Sequence, residues 1–309
     1  MPILTENLTE AKLREDLKTI CLLAYGKGLI SGFDGSFSLK TSDNSILITP
    51  TDTHKGLLEE KDFILLDLNG NILTNGKEPS DHLSLHLAAY KARPDIKAFI
   101  HAHPPTVVSL TVAGIDFNQP VIPNTIISLG EVGFFPYSNS DKNTEESQLI
   151  EILKNHDAII LDKHGSITVG DDIFTAYGNL ETLEFTAKVL HQASQIGEIQ
   201  TLSDKEIKDL INERHKIYGK DLQDREKNNL FQNFTQKLTV KKLISKVLES
   251  NSPVFQRVLS LTHELTVNTI EKTAYSSKLT KEEKEQLGRE LTGSFFNLVL
   301  GKFTKKTSL

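Results

Sequence analysis

Two histidines separated by one residue, His101 and His103, end an apolar run that begins at Ala98. The run predicts a buried strand, and residues two apart in a strand project from the same face. The two imidazole rings are therefore expected to lie close together at the end of this strand. Neutral imidazole is the commonest protein ligand for zinc and related ions, so the pair suits a metal site.

A third ligand is needed, because a catalytic zinc site uses three protein ligands and leaves a position for water or substrate. His164 is the best candidate, since it follows an apolar run of strand character in a turn that would carry its ring out of the sheet. His82 and His86 lie one helical turn apart just upstream, so half of the ten histidines fall in or near this region. We expect His101, His103 and His164 to bind one divalent metal ion, with zinc as the expected ion. The alternative is that they are hydrogen-bonded core residues.

The composition is that of an ordinary globular chain. Of 309 residues, 38% are hydrophobic and 25% are charged, which suits one sizeable core and a smaller second unit. The formal net charge of -6 argues against general affinity for nucleic acid or acidic membranes. Cys21 is the only cysteine, so no disulfide forms within the chain. No apolar run approaches the roughly 20 residues of a membrane span and no targeting signal is found, so we expect a cytoplasmic protein.

Strand and helix patterns are interleaved up to Gly219. Apolar runs predict strands at 36–40, 45–49, 63–68, 98–103, 134–137, 158–161 and 166–169. Helical spacing of apolar residues predicts helices at 8–29, 80–93, 106–113, 143–155, 171–196 and 203–218. Ser80 and Ser203 are expected to cap two of these helices. Hairpin turns between strands indicate an α/β protein of the α+β type, with a mixed, mostly antiparallel central sheet flanked by helices.

The character of the chain changes after Gly219. We predict one domain at 1–219, a polar linker at 220–238 and a small all-helical C-terminal extension at 239–309. The extension carries two apolar stripes at helical spacing. They consist of Val254, Val258, Leu261 and Leu265, and of Leu291, Phe295, Leu298 and Val299. Stripes of this kind need a partner surface, within the chain or in a second copy.

Several short motifs follow one another with compatible spacing. They are Gly35-Ser36, ITPT at 48–51, Pro79-Ser80, HLAAYKARPD at 86–95, HAHPP at 101–105, Pro136-Tyr137 and KHG at 163–165. Each motif alone is weak, but the ordered set, which covers residues 8–218, resembles the class II aldolase/adducin family. The best-known enzymes of that family are L-fuculose-phosphate aldolase and L-ribulose-5-phosphate 4-epimerase. The predicted C-terminal helices have no counterpart in the resemblance.

The resemblance implies a metal-dependent lyase with an aldolase-type reaction on a small, sugar-like hydroxy-ketone. The family's three zinc-ligating histidines fall on His101, His103 and His164, which agrees with the choice made from strand geometry. In the family, the metal binds two oxygens of the hydroxy-ketone and stabilises the enediolate that forms when the carbon–carbon bond breaks.

The family's phosphate-binding motifs fall on Gly35-Ser36, Thr51-Asp52 and Ser80-Asp81. Ser36, Thr51, Asp52 and Ser80 are therefore the expected substrate-binding residues. Ser36 replaces the usual asparagine, and Asp52 and Asp81 replace a glycine and a serine. Each added carboxylate would repel a phosphate by roughly 1 to 4 kcal/mol at about 4 Å. His54 and Lys55 are the nearby side chains that would offset this charge.

The family's acid/base glutamate falls on His82, whose imidazole can transfer protons near neutral pH. His82 is therefore the expected catalytic residue, with Asp81 as the alternative. Two other interpretations remain open: His82 is a fourth metal ligand, or it is a solvated residue in a first helical turn. His86 is expected to pack or to support the site.

Four other functions remain open. An epimerase or a dehydratase would use the same metal site, and a metal hydrolase would also need three histidines. A non-catalytic adducin-like scaffold would keep the fold without the metal site. The expected partners are a sugar or sugar-phosphate-like small molecule and further copies of the chain. The resemblance and the two apolar stripes together imply a homo-oligomer, with a tetramer expected.

Overall fold

A seven-stranded sheet forms the centre of the region that the structure describes. The computed structural model describes residues 9–42, 44–74, 76–137 and 142–219, and the single residues Thr280, Glu282 and Gln286. The strands are β1 Ser36–Ser42, β2 Ser45–Ile48, β3 Ile64–Asp67, β4 Ala98–Ala102, β5 Gly133–Phe135, β6 Ala158–Leu161 and β7 Gly165–Gly170. Their order in the sheet is β3-β2-β1-β4-β7-β6-β5. Only β5 and β6 pair in parallel among these strands, so the predicted mixed, mostly antiparallel sheet is confirmed.

Helices cover both faces of this sheet. Those in the described residues are α1 Glu10–Gly26, α2 Leu83–Ala92, α3 Pro105–Ala113, α4 Pro123–Leu129, α5 Lys142–Leu153, α6 Ile173–Ile196 and α7 Asp204–Tyr218. Apolar side chains of α2 and α5 pack on one face of the sheet, and those of α1 and α6 pack on the other. Helix α3 packs with α6 on β6, and α4 packs with α7.

Strand β4 lies near the middle of the sheet, and all five of its residues are buried. Its side chains alternate, so Phe99 joins the cluster under α2 and α5 while Ile100 joins the cluster under α1 and α6. Burial of each large aliphatic side chain stabilises the fold by about 1.5 to 3 kcal/mol. His101 shares the α2 face with Phe99, so a polar ring is built into a rigid, apolar part of the molecule.

The helix caps differ in one place from the sequence prediction. Ser203 caps α7 as expected, through a capping box with Glu206. Ser80 does not cap α2, because the helix begins at Leu83, with His82 as the N-cap residue. The chain is still extended before that point, where Ser80 N donates to Thr49 O and Pro79 forms a bridge with Pro50. Ser80 Oγ instead accepts a hydrogen bond from His82 N at 3.3 Å.

Two further details differ from the sequence prediction. Helix α4 was not predicted, because its seven residues are too short to show an apolar period, although Pro123 stands at its first position. Strand β5 covers Gly133–Phe135 instead of the predicted 134–137.

The predicted linker at 220–238, both apolar stripes and, apart from Thr280, Glu282 and Gln286, the helical extension at 239–309 lie outside the described residues. In the part of the chain that the structure describes, no helix is long and apolar enough to span a membrane.

Candidate metal centre

His101 is fixed in one tautomer by its neighbour in the sheet. The ring is 1% exposed, and its Nδ1 lies 3.1 Å from the backbone oxygen of Ser166 on β7. A carbonyl oxygen only accepts hydrogen bonds, so Nδ1 must carry the proton and donate it. The lone pair is therefore on Nε2. A histidine whose one nitrogen donates to a carbonyl presents its other nitrogen to a metal in the usual way.

His103 follows directly after β4, and its Nε2 lies 3.2 Å from Nε2 of His101. Its backbone N–H donates to Leu29 O, which fixes the chain where it leaves the sheet. Two nitrogens bound to one tetrahedral zinc ion at about 2.05 Å would lie about 3.3 Å apart. The two rings thus have the spacing of ligands to a shared ion. Asp34 faces the other side of the ring, with Oδ2 at 3.9 Å from His103 Nδ1.

His164 comes from the hairpin between β6 and β7. Lys163 has a φ of 56° in the tight turn, and its backbone N–H donates to Thr111 Oγ1 at 2.9 Å. The His164 ring stacks on that of His103, with ring centres 5.1 Å apart. One possible ligand atom from each of His101, His103 and His164 lies within 4.8 Å of the other two. The structure therefore brings together the three histidines chosen from the sequence, in a group that could hold a metal ion.

Burial keeps these rings neutral. It lowers the pKa of His101 well below the ordinary histidine value, and it lowers the pKa of His103 to about 4. Burial also lowers the pKa of His164, although the carboxylates of Glu145 and Asp34 act in the opposite direction. Metal ions bind the neutral form of imidazole. Near neutral pH, protons therefore compete little with a metal ion for these nitrogens.

A cavity of about 440 Å³ opens beside the histidines. The His82 ring lies in its wall, with its centre 4.8 Å from that of His101. His101 and His164 also line the cavity, together with Leu85, Phe135, Tyr137, Glu145, Glu146, Leu149, Leu161, Asp162 and Lys163. His82 therefore shares a wall of the cavity with two of the three candidate ligands, as the acid/base hypothesis requires.

The structure places the residues expected to bind substrate in different surroundings. Thr51 Oγ1 donates to Asp81 Oδ1 at 3.4 Å, so these two side chains lie together. Asp52 has a φ of 45°, a left-handed conformation that favours glycine, which is the family's usual residue there. Ser80 is buried, and Ser36 is fully buried, with Oγ 2.8 Å from His86 Nε2.

Lys55 lies near the same residues, but its ammonium group forms hydrogen bonds with backbone oxygens. The side chain is buried, and Nζ donates to the backbone oxygens of Phe33 and Thr53 at 3.0 and 2.9 Å. Burial lowers the pKa of Lys55, although Cys21, Asp34, Asp52 and Asp81 act in the opposite direction. Among the ion pairs of the described residues, none joins Lys55 to Asp52.

Three acidic side chains near the rings were not predicted from the sequence. Asp34 accepts a hydrogen bond from Ser31 Oγ and faces His103. Glu145 and Glu146 line the cavity from α5. Only Asp34 had a sequence signal, its position beside Gly35-Ser36, whereas glutamates on α5 resemble an ordinary solvated helix face.

The family model and the similar known proteins agree on one protein family. The family model described as the class II aldolase and adducin N-terminal domain matches residues 15–191. The chain is 33% identical over 192 residues to a 3-oxo-tetronate 4-phosphate decarboxylase of Haemophilus influenzae, covering 61% of this chain and 90% of that one. It is 34% identical over 181 residues to an L-fuculose phosphate aldolase of Methanococcus maripaludis, covering 58% and 96%.

Solved structures show the same fold. The crystal structure of YgbL from Escherichia coli, described as an aldolase/epimerase/decarboxylase, aligns with a TM-score of 0.61. The identity is 29%, and the alignment covers 65% of this chain and 99% of that one. The family model matches more than half of the chain, and the relatives carry the names of enzymes. The chain therefore belongs to the class II aldolase and adducin family and is an enzyme of that superfamily.

Proposed function

We propose that the chain is a metal-dependent lyase that cleaves or forms a carbon–carbon bond in a small, sugar-like hydroxy-ketone. The observation that carries the proposal is the grouping of His101, His103 and His164 beside a cavity that His101, His164 and His82 line. The cavity volume lies in the range of small-molecule sites. The named aldolases among the relatives support the reaction class.

The residues present fit a divalent metal ion, and we propose zinc held by His101, His103 and His164. The tautomer of His101 and the 3.2 Å separation of the two Nε2 atoms support this assignment. Because all three ligands are neutral, they leave the full positive charge of an ion available. Neutralisation of negative charge that develops on substrate oxygen is the chemistry that such an ion supplies.

We assign proton transfer to His82. In the cleavage direction, a base removes the proton of the hydroxyl group whose carbon becomes the aldehyde, and the carbon–carbon bond breaks. Its electron pair passes into an enediolate, which takes a proton on carbon. His82 supports this role because it lines the cavity and its ring centre lies 4.8 Å from that of His101. Asp81 is the alternative, since it is exposed and accepts from Thr51.

We further propose that Ser36, Thr51, Asp52 and Ser80 belong to the substrate-binding region, as the family pattern implies. The carboxylates of Asp52 and Asp81 make this region unfavourable for a phosphate dianion, and the Lys55 ammonium donates to the backbone oxygens of Phe33 and Thr53. We therefore expect a hydroxylated end group to bind better than a phosphate, although the named relatives act on sugar phosphates.

Decarboxylation of a 3-oxo acid is a second candidate, favoured by the 33% identity to a decarboxylase. In that reaction the electron pair of the bond to the carboxylate passes into an enolate as carbon dioxide leaves. The enolate then takes a proton. The same three histidines and His82 would serve, but no base would be needed to remove a hydroxyl proton.

The experiment supplies the zinc-loaded protein with L-fuculose 1-phosphate, matched free ketoses and a 3-oxo acid, and measures aldehyde and carbon dioxide. We expect aldehyde release from a ketose, reduced about hundredfold or more in His82→Ala with an unchanged unfolding midpoint. His191→Ala, at an exposed histidine of α6, is the control. Carbon dioxide alone would favour the second candidate, and absence of both products would contradict the proposal.

We also propose that the chain assembles as a homotetramer, with its domain at 1–219 and its helical extension at 239–309. Large apolar side chains are exposed on the described part, among them Phe33, Leu57, Val112 and Phe185. Light scattering of the full chain and of residues 1–219 compares the two regions. A full-length monomer would refute the assembly.

A further inference from the structure

A carboxylate lies on the far side of the His103 ring and has no part in the mechanism proposed above. Asp34 Oδ2 lies 3.9 Å from His103 Nδ1, whereas His103 Nε2 faces Nε2 of His101 at 3.2 Å. The two nitrogens of this ring therefore have different neighbours. His101 lines the cavity, but neither His103 nor Asp34 lines it. Asp34 can thus influence the candidate metal centre through the His103 ring without contacting a ligand in the cavity.

The loop at 29–35, which carries Asp34 between α1 and β1, is anchored to its surroundings by backbone oxygens. Leu29 O accepts from His103 N at 3.1 Å. Gly32 O accepts from Lys55 N at 2.6 Å, and Phe33 O accepts from Lys55 Nζ at 3.0 Å. The Lys55 side chain is buried, so its ammonium is held inside the protein against this loop. The loop therefore has a fixed position beside the end of β4.

The Asp34 carboxylate is also oriented within the loop. Ser31 Oγ donates to Asp34 Oδ2, the same oxygen that faces His103. The next residue, Gly35, has a φ of 79°, and a Cβ atom built on it would lie 2.9 Å from the backbone oxygen of His101. The backbone beside Asp34 thus packs directly on the strand that carries the candidate ligands.

Neutral His103 can carry its proton on either ring nitrogen. With the proton on Nε2, the ring would donate to Nε2 of His101, which holds a lone pair because His101 Nδ1 donates to Ser166 O. The proton would then lie between the two nitrogens that a metal ion needs. With the proton on Nδ1, both Nε2 lone pairs are available to an ion. These lone pairs repel each other in the metal-free protein, so this second tautomer needs support from elsewhere.

The charge of Asp34 favours the second tautomer. A carboxylate attracts an N–H group on Nδ1 and repels a lone pair there. Burial lowers the pKa of His103, and the Asp34 charge acts in the opposite direction, so the charge acts on the ring. The distance of 3.9 Å is too long for a direct hydrogen bond, and the Asp34 side chain is 55% exposed. The interaction is therefore one of charge, reduced by solvent screening.

We propose that Asp34 is a positioning residue that favours the Nδ1-protonated tautomer of His103 and so makes Nε2 available to a metal ion. The proposal rests on the proposed function, because the ion is the one assigned there to His101, His103 and His164. The same carboxylate would also stabilise the His103 ring when a bound cation draws electron density from it. This role differs from the phosphate contact that the family pattern implies for the neighbouring Gly35-Ser36.

The first test separates the charge of Asp34 from its hydrogen bond within the loop. Asp34→Asn removes the charge but keeps an oxygen that can accept from Ser31, whereas Ser31→Ala keeps the charge and removes the donor. Carboxylates behind metal-binding histidines change metal affinity by about ten- to hundredfold, and the exposure of Asp34 favours the lower end of this range. We therefore expect zinc affinity, measured by calorimetry, to fall about tenfold in Asp34→Asn.

Ser31→Ala should bind zinc within a few-fold of the unmodified protein. The control is Asp116→Asn, at an exposed aspartate between α3 and α4 that accepts from Asn118 N, and it should leave zinc affinity unchanged. All three variants should keep the unfolding midpoint of the unmodified protein. Equal weakening in Ser31→Ala and Asp34→Asn would show that the shape of the loop acts instead of the charge, and would overturn the proposal.

The second test is nitrogen-15 NMR of the His103 ring in the metal-free protein at neutral pH. His103→Gln identifies the signals of this ring. We expect a smaller fraction of the Nδ1-protonated tautomer in Asp34→Asn than in the unmodified protein and in Ser31→Ala. Equal fractions in Asp34→Asn and the unmodified protein would overturn the proposal. This measurement requires neither metal nor substrate.

The two tests separate this proposal from the proposed function. Zinc binding that is equally tight in Asp34→Asn and the unmodified protein would overturn the role of Asp34 alone. Absence of zinc binding by the unmodified protein would overturn the proposed function and, with it, the role of Asp34 toward the ion. In that case the tautomer measurement would still decide whether the Asp34 charge controls the protonation of the His103 ring.

Discussion

Gly165 packs so closely on the end of β4 that a Cβ atom built on it would lie 2.3 Å from the backbone oxygen of Ala102. The same atom would lie 2.6 Å from Cδ2 of His103. The absence of a side chain therefore lets the β6–β7 hairpin approach the strand that carries the other two histidines. His164 reaches them because the next residue is a glycine.

Gly165→Ala should push this hairpin away from β4. Overpacking of this kind costs about 1 to 3 kcal/mol of unfolding free energy, and we expect zinc affinity to fall at least tenfold. Gly178→Ala is the matched control, because nothing lies within 4 Å of its Cβ position in α6, and alanine there should stabilise by up to about 1 kcal/mol. Urea unfolding and zinc titration measure both effects. Equal zinc affinity in Gly165→Ala and the unmodified protein would contradict the packing argument.

Glu184 should stabilise the turn that follows His103. Its carboxylate is 3% exposed and accepts from Thr106 N, Thr106 Oγ1 and Val107 N, at the start of α3. The N-cap residue of α3 is Pro104, which makes no side-chain cap bond, so α6 supplies the acceptor. Glu184→Ala should cost about 1 to 3 kcal/mol in urea unfolding.

Lys188→Ala is the control for this prediction. Lys188 pairs with Glu184 at 3.4 Å but is exposed, so its removal should cost well under 1 kcal/mol. A Glu184→Ala variant as stable as Lys188→Ala would show that water replaces the carboxylate at the helix start.

The stability of the metal-free protein should decrease as the pH is lowered from about 6.5 to about 4. Burial, followed by the nearby His164, lowers the pKa of His103 to about 4. Below the ordinary histidine pKa, the unfolded chain binds a proton that the folded chain does not bind. Stability from this residue is thus fully present above about pH 6.5 and is lost as pH falls, by up to about 3 kcal/mol. Urea unfolding at several pH values should show a smaller pH dependence for His103→Asn, and an equal dependence would contradict the prediction.

The carboxylates of Asp52 and Asp81 should disfavour phosphorylated ligands. Two such charges could weaken phosphate binding by about 2 kcal/mol, or roughly thirtyfold. Asp52→Gly combined with Asp81→Ser should therefore strengthen binding of a ketose phosphate relative to the matched free ketose. The glycine also suits the left-handed backbone at position 52. Tight, phosphate-dependent binding by the unmodified protein, with no gain in the double variant, would show that the charge argument is wrong.

The sequence was most informative where the spacing of apolar residues or a short motif corresponds to a known local geometry. Alternation in β4 placed His101 and His103 together, and the hairpin at His164 was predicted from its apolar run and turn. The start of α2 was misplaced, because Pro79 and Ser80 are held extended by contacts with residues 49–50, which are distant in the sequence. The buried hydrogen bonds that link Ser36, His86, Ser38 and Tyr90 were not predicted for a similar reason, since they join residues about 50 positions apart.

The most direct test is a zinc titration of the metal-free protein, measured by isothermal titration calorimetry. Metal analysis after dialysis then gives the amount of zinc bound per chain. We predict one zinc ion per chain in the unmodified protein, and loss of that ion in His101→Ala, His103→Ala and His164→Ala. His156→Ala and His191→Ala, at histidines outside the group, should retain it. Retention of stoichiometric zinc after all three of His101, His103 and His164 are replaced, or no zinc binding by the unmodified protein, would contradict the account.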